Sequence, residues 1–199
     1  MRKVKAFGLI LPLLLFLLVT FVWPIVAMLA RSIDNPELGS VLPQTTAQLI
    51  EWDGQMPPPP ALLKTLASES ISANQDRTIG KAAKRLNYNA SGFRSLMKKT
   101  ANKLDRAAKK EGLEAVVNDP NLYERFTKID KRWKERRYWT IMKYAAPPKT
   151  AWYLLQAIDQ DYDEDKNIVP VHEDVAIHLV ILWRTVWISA VVTALCLAL

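Results

Sequence analysis

The chain has 199 residues, half of them hydrophobic, and a formal net charge of +7 at pH 7. This length allows one or two domains. A single cysteine excludes a disulfide framework and a cysteine-based metal site, and the six glycines form no glycine-rich loop that could cradle a phosphate group.

Residues 6–30 form an apolar run that contains no charged residue. As a helix the run is about 37 Å long, enough to cross a hydrocarbon core of about 30 Å. A cleaved signal peptide is the alternative. Its apolar core normally has about 7 to 15 residues and is followed by a small-x-small cleavage site, which this chain lacks. We therefore predict an uncleaved transmembrane helix over residues 6–30.

The charges that flank the apolar run predict its orientation. Arg2, Lys3 and Lys5 precede it, so residues 1–5 are expected to form a cytoplasmic tail. Residues 31–174 then lie on the extracytoplasmic side. Residues 32–174 hold all 20 acidic residues and 22 of the 27 basic ones, so this stretch carries only about +2.

Apolar residues recur at helical spacing through the polar region, and no stretch shows the two-residue alternation of a strand. We predict an extracytoplasmic cap of five to seven short helices. Pro43 and Pro60 are expected near the starts of two of them, and Asn89 or Ser91 is expected to cap a third. The expected helical segments are residues 42–52, three sets within 61–104, one from about 120 to 146, and 150–158.

Charge is segregated along this region. Residues 64–149 hold 21 basic and nine acidic side chains, and residues 159–174 hold seven carboxylates and one lysine. We interpret the basic residues as solvated helix faces, with attraction to anionic lipid headgroups as a weaker alternative and no nucleic-acid binding. Asp159, Asp161, Asp163 and Asp165 fail the calcium-loop template, because Lys166 or Glu164 stands where glycine is required. A solvated acidic loop is expected.

The chain ends in a second apolar region, predicted as a lead-in and a truncated transmembrane helix over residues 175–199. Its uncharged part, residues 185–199, would reach only about 22 Å as a helix. Arg184 is expected at the edge of this helix as an interfacial anchor. His172 and His178 are six residues apart, which is not the spacing of a ligand pair on one helical face.

Three parts of the chain have a recognisable pattern. They are the first predicted membrane helix with its exit, residues 16–25 and 31–36; three segments of the middle region, residues 85–88, 129–133 and 152–159; and the start of the second predicted membrane helix, residues 184–199. Together these segments resemble ABC-transporter permease subunits of the spermidine/putrescine type.

The resemblance implies an all-α subunit of the bacterial inner membrane, multi-pass when intact, that imports polyamines or similar small solutes. Its partners would be membrane lipid, a second permease subunit, a cytoplasmic ATPase and a periplasmic solute-binding protein. That family contacts its ATPase through a Glu-Ala-Ala…Gly loop downstream of the second helix, and this sequence has no such segment. The chain is therefore expected to be an N-terminal portion of a permease, and none of its residues is assigned to solute binding.

The residues indicate no enzyme. No catalytic, cofactor-binding or metal-binding constellation is expected. The alternative function is a bitopic membrane protein whose basic extracytoplasmic helical domain binds a partner, lipid or nucleic acid.

Overall fold

A computed structural model of the protein describes residues 11–163, 167–171 and 176–198. The predicted cytoplasmic tail, residues 1–5, lies outside the described residues. The chain divides into two compact units. We call residues 35–150 with 162–168 the polar domain, and residues 1–34, 151–161 and 169–199 the terminal unit.

The terminal unit contains the two long apolar helices. The first, α1, spans Leu11–Ser32, and the last, α11, spans His178–Ala198. The short helix α10, Trp152–Ala157, precedes α11 in the sequence and belongs to the same unit. The mostly helical architecture, with apolar helices of spanning length near both termini, is as the sequence predicted.

The polar domain is built from eight α-helices among the residues that the structure describes. They are α2 (Pro36–Val41), α3 (Pro43–Glu51), α4 (Pro60–Gln75), α5 (Ile79–Asn89), α6 (Phe93–Glu111), α7 (Leu113–Val117), α8 (Leu122–Ile129) and α9 (Arg136–Ala145). With α10, the described region between the two long helices has nine α-helices, more than the five to seven expected.

Proline sets the starts of α3 and α4, as predicted. Pro43 and Pro60 occupy first-turn positions, where the missing N–H would have no partner in the helix. The N-terminus of α3 has a cap from another helix. The Glu69 carboxylate of α4 accepts hydrogen bonds from the backbone N–H groups of Gln44 and Thr45, at 2.8 and 2.9 Å. A carboxylate at this end also complements the helix dipole.

The start of α6 differs from the prediction. Neither Asn89 nor Ser91 caps it: α5 continues through Asn89, and the chain turns at Gly92, whose φ of +86° favours glycine. The backbone N–H of Arg94 instead donates to Asn87 Oδ1, at 3.1 Å. A side chain from the preceding helix thus satisfies a first-turn N–H of α6.

The core forms where the apolar faces of these helices meet. Helix α6 packs against both α4 and α5. The apolar positions predicted on these three helices are buried, namely Leu62, Leu63, Leu66, Ile79, Ala82, Ala83, Leu86, Phe93, Leu96, Met97, Thr100, Ala101 and Leu104. On α3, Leu49 is fully buried, whereas its neighbour Ile50 is half exposed.

A cluster of aromatic rings fills the other end of the core. Trp133 and Trp139 are fully buried with ring centroids 4.8 Å apart, and Phe126 meets Trp133 edge-on at 5.5 Å. Both indole N–H groups have partners, since Trp133 donates to Thr100 Oγ1 and Trp139 donates to the Trp133 carbonyl oxygen. Buried indoles need such acceptors.

Asp130 interrupts the helix that was expected from about 120 to 146. Its carboxylate accepts from the Arg132 backbone N–H, from Arg132 Nε at 2.9 Å and from Lys99 Nζ at 3.1 Å. Asp130 caps the short 3₁₀ turn Lys131–Lys134 between α8 and α9, and the Trp133 N–H donates to its carbonyl oxygen. The Arg132 guanidinium, followed by Lys99, holds the pKa of Asp130 far below its usual range.

The acidic segment also differs from the expected loop. Two strands, β1 (Gln160–Tyr162) and β2 (Ile168–Pro170), form a two-stranded sheet. The sequence did not indicate them, because three residues are too few to show strand alternation.

Candidate functional site: the apolar helices and the start of α11

The surface of α1 is apolar on every side. No residue of its 22 is buried among the described residues, and Trp23 is 69 % exposed. At about 1.5 Å per residue the helix measures about 33 Å, the thickness of a hydrocarbon core. A soluble protein rarely exposes so large an apolar surface, and α1 is therefore suited to lipid or to other membrane helices.

A π-helical turn interrupts α1 at Leu18–Val22, where the Trp23 N–H donates to the Leu18 carbonyl oxygen five residues back. Pro24 follows and has no N–H, so the wider turn lies where the regular ladder is already broken. A shallow apolar groove of about 310 Å³ lies on this part of the helix, lined by Leu18, Val19, Val22, Trp23 and Val26.

The second apolar helix is longer than the sequence indicated. Helix α11 starts at His178, seven residues before the expected uncharged run, and its 21 residues measure about 31 Å. Arg184 therefore lies about 9 Å along the helix and not at its edge. Arginine is a good helix former, so this one charged residue does not end the helix.

The threonine hydroxyl groups of both helices donate to carbonyl oxygens of their own helix. Thr20 donates to the Phe16 carbonyl oxygen on α1, while Thr185 and Thr193 of α11 donate to the carbonyl oxygens of Ile181 and Ser189, at 2.7 to 2.9 Å. A hydroxyl bonded to the carbonyl four residues earlier needs no water. These threonines are compatible with a lipid environment.

Asp159 binds the start of α11 from 19 residues away in the sequence. Its carboxylate accepts from the backbone N–H groups of His178 and Leu179, at 3.1 and 2.8 Å, and His178 Nδ1 lies 2.8 Å from Asp159 Oδ1. These contacts satisfy two of the N–H groups that a helix start leaves without an internal partner. The Leu179 N–H, together with His178, lowers the pKa of Asp159.

The sequence missed this role. Asp159 was interpreted as part of a solvated acidic loop, but it is only 7 % exposed and has a φ of +54°. An aspartate that acts as a cap from a distant segment leaves no local signal, because the capping pattern requires it next to the helix.

The other aspartates of the failed calcium template also have local partners. Asp161 accepts from Trp152 Nε1 at 2.8 Å, and Asp163 accepts from the Asn167 backbone N–H at 2.8 Å. Among the described residues no group of three or more potential ligands could hold a metal ion. Asp165 and His172 lie outside the described residues.

The resemblance to a transporter family gains nothing from comparison with known proteins. No protein-family model, curated protein or solved structure matches the chain.

Proposed function

We propose that these residues form the first two membrane helices and an extracytoplasmic helical domain of a permease subunit in an ABC importer. One observation carries the proposal. A packed polar domain with its own core is inserted between two helices that are long, apolar and exposed on every side. Such helices match a bilayer, and the domain between them must then lie on one side of it.

The transporter assignment goes further than membrane insertion and rests on the resemblance of the segments at both ends and in the middle of the chain. Two helices cannot enclose a transport pathway, which needs several packed helices around a central site. The exposed surfaces of α1 and α11 are therefore proposed to pack against further membrane helices. The second permease subunit, the ATPase, the solute-binding protein and the polyamine class of solute are part of the same proposal.

The alternative is a bitopic protein, which crosses the bilayer once and uses its basic helical domain to bind a partner. It requires one of the two apolar helices to lie outside the hydrocarbon. Both helices measure more than 30 Å and expose apolar side chains on every side. This observation favours two crossings.

Uptake by cells tests the transporter proposal. A deletion strain is expected to lose energy-dependent uptake of radiolabelled spermidine or putrescine, and the restored gene is expected to return it. The tagged protein, purified from native membranes in mild detergent, is expected to bring an ATP-hydrolysing subunit with it. Unchanged uptake of both polyamines, together with purification free of any ATPase, would contradict the proposal.

A further inference from the structure

Helix α6 has a strongly basic side and an apolar side. Its 19 residues include seven basic and two acidic side chains. One of the two acids, Asp105, is buried and paired with Lys109 at 2.8 Å. The apolar side of α6 lies in the core, so the basic residues share the side that faces solvent.

Four of the basic residues follow one line along the helix. Lys99, Lys103, Arg106 and Lys110 recur at spacings of four, three and four, which places them on a single face. We call these four residues the basic stripe. Lys103, Arg106 and Lys110 are exposed and form no ion pair within the described ranges, whereas Lys99 pairs with Asp130.

The stripe borders a groove between α6 and α8. The groove has a volume of about 560 Å³, and the charged side chains in its lining are Lys99, Lys103, Asp119, Glu124, Arg125 and Lys128. The other cations of the lining have carboxylate partners: Arg125 pairs with Asp119 at 2.8 Å and with Glu111 at 3.0 Å, and Lys128 pairs with Glu124 at 3.2 Å. Lys103 is therefore the cation in the groove lining that has no ion-pair partner among the described residues.

The membrane surface is the anion that this chain is certain to meet once its apolar helices insert. Helix α1 ends at Ser32 and α2 begins at Pro36, so at most about 14 Å of extended chain joins the polar domain to the membrane helix. Positively charged side chains are attracted to anionic lipid headgroups only within about a Debye length of 10 Å. Nucleic acid fits less well, because the residues that line the groove include no aromatic side chain on which a base could stack.

We propose that the basic stripe and the adjoining groove bind the phosphate headgroups of anionic phospholipids, and so hold the polar domain against the bilayer surface. The groove has room for one headgroup, and Lys103, Arg106 and Lys110 of the stripe have no ion-pair partner among the described residues. The inference requires membrane insertion but not transport, so it stands or falls separately from the assignment as a permease.

Lysine reactivity in nanodiscs tests the proposal. The intact protein is placed in nanodiscs of phosphatidylcholine alone or with about one third phosphatidylglycerol, and modification of each lysine by an amine-reactive reagent is followed by mass spectrometry. We expect modification of Lys103 and Lys110 to slow about fivefold in the anionic discs, as expected when each basic residue interacts with the charged surface. Lys81 and Lys134, which lie on other elements, should change little. High salt should remove the difference.

A pair of matched variants distinguishes the effect of the basic stripe from the effect of the protein's net charge. In Lys103→Gln/Arg106→Gln/Lys110→Gln the lipid-dependent protection of Lys99 should disappear, whereas in Lys81→Gln/Arg94→Gln/Lys134→Gln, which removes the same charge, it should persist. Equal modification of Lys103 in both disc types would overturn the proposal. Protection by a single-stranded oligonucleotide in neutral discs, without protection by phosphatidylglycerol, would also overturn it. If the stripe variant fails to fold, the difference in lysine modification between the two disc types, measured on the protein without substitutions, still tests the proposal.

Discussion

Asn35 and Arg85 meet inside the polar domain, although they lie 50 residues apart in the sequence. Arg85 Nε donates to Asn35 Oδ1, and Arg85 Nη1 donates to Asn89 Oδ1. The Asn35 amide donates in turn to the carbonyl oxygens of Ala145 and Pro147, at 2.7 and 2.8 Å. Both residues are at most 2 % exposed. A single side chain therefore connects the start of α2, helix α5 and the end of α9.

Replacement of this side chain should destabilise the polar domain. Asn35→Ala removes the side-chain partner of the Ala145 and Pro147 carbonyl oxygens and of Arg85 Nε, which costs about 3 kcal/mol of unfolding free energy. Urea unfolding in mild detergent, followed by fluorescence of the buried tryptophans, measures the loss. Asn102→Ala, on the solvent side of α6, is the control and should change the free energy by no more than about 0.5 kcal/mol. Equal stability of the two variants would contradict the role given to Asn35.

The aromatic cluster gives a second prediction. Trp133→Phe removes the indole N–H that donates to the buried Thr100 hydroxyl at 2.9 Å, and it leaves space in the core. We expect a loss of about 2 kcal/mol in unfolding free energy. Trp187→Phe makes the same change on α11, where the indole is 62 % exposed, and the unfolding midpoint of the polar domain should not move. A midpoint for Trp133→Phe equal to that of the unchanged protein would disprove the packing described for this cluster.

The Asp130 network predicts a pH dependence. The pKa of Asp130 is far below its usual range in the folded protein, whereas the unfolded chain has a value of about 3.9. The carboxylate therefore contributes stability that is complete above about pH 5 and is lost as the pH falls through 4 and below. Asp130→Asn should be less stable than the unchanged protein at pH 7, and the difference should narrow towards pH 3.

Urea midpoints at pH 7, 5, 4 and 3 follow this difference. Asp76→Asn is the control, because Asp76 is exposed and its side chain forms no hydrogen bond or ion pair in the part of the chain that the structure describes. A constant difference between Asp130→Asn and the unchanged protein across the whole range would show that the ion pairs of Asp130 do not stabilise the fold.

Asp159 predicts an effect at the start of α11. Asp159→Ala removes the acceptor for the N–H groups of His178 and Leu179, so the first turn should open more often. Hydrogen exchange of a peptide that covers residues 178–182 should become faster. Asp53→Asn, on the loop after α3, should leave that exchange unchanged. If Asp159→Ala exchanges at the original rate, water or another group caps the helix.

Features that depend on neighbouring residues were predicted from the sequence, whereas contacts between distant residues were not. Helical spacing predicted the buried faces of α4, α5 and α6, and proline predicted the starts of α3 and α4, because both signals are local. Arg85 was expected on a solvated face, but it is buried. The sequence did not indicate this, because its partner Asn35 lies 50 residues away. For the same reason the capping of α11 by Asp159, which lies 19 residues before His178, was not predicted.

The length of α11 was underestimated for a different reason. Counting only uncharged residues stopped the predicted run at Arg184, but the helix continues through this arginine, a good helix former. A criterion that allows single charges would have placed its start near His178.

Membrane topology is the central claim, and cysteine accessibility tests it most directly. In a Cys196→Ser background, Lys3→Cys and Lys98→Cys are modified in intact spheroplasts with a membrane-impermeant maleimide. We predict modification of Lys98→Cys in intact spheroplasts, and of Lys3→Cys only after the membrane is permeabilised. Modification of both positions from the same side, or release of the chain from membranes by alkaline carbonate, would contradict the account.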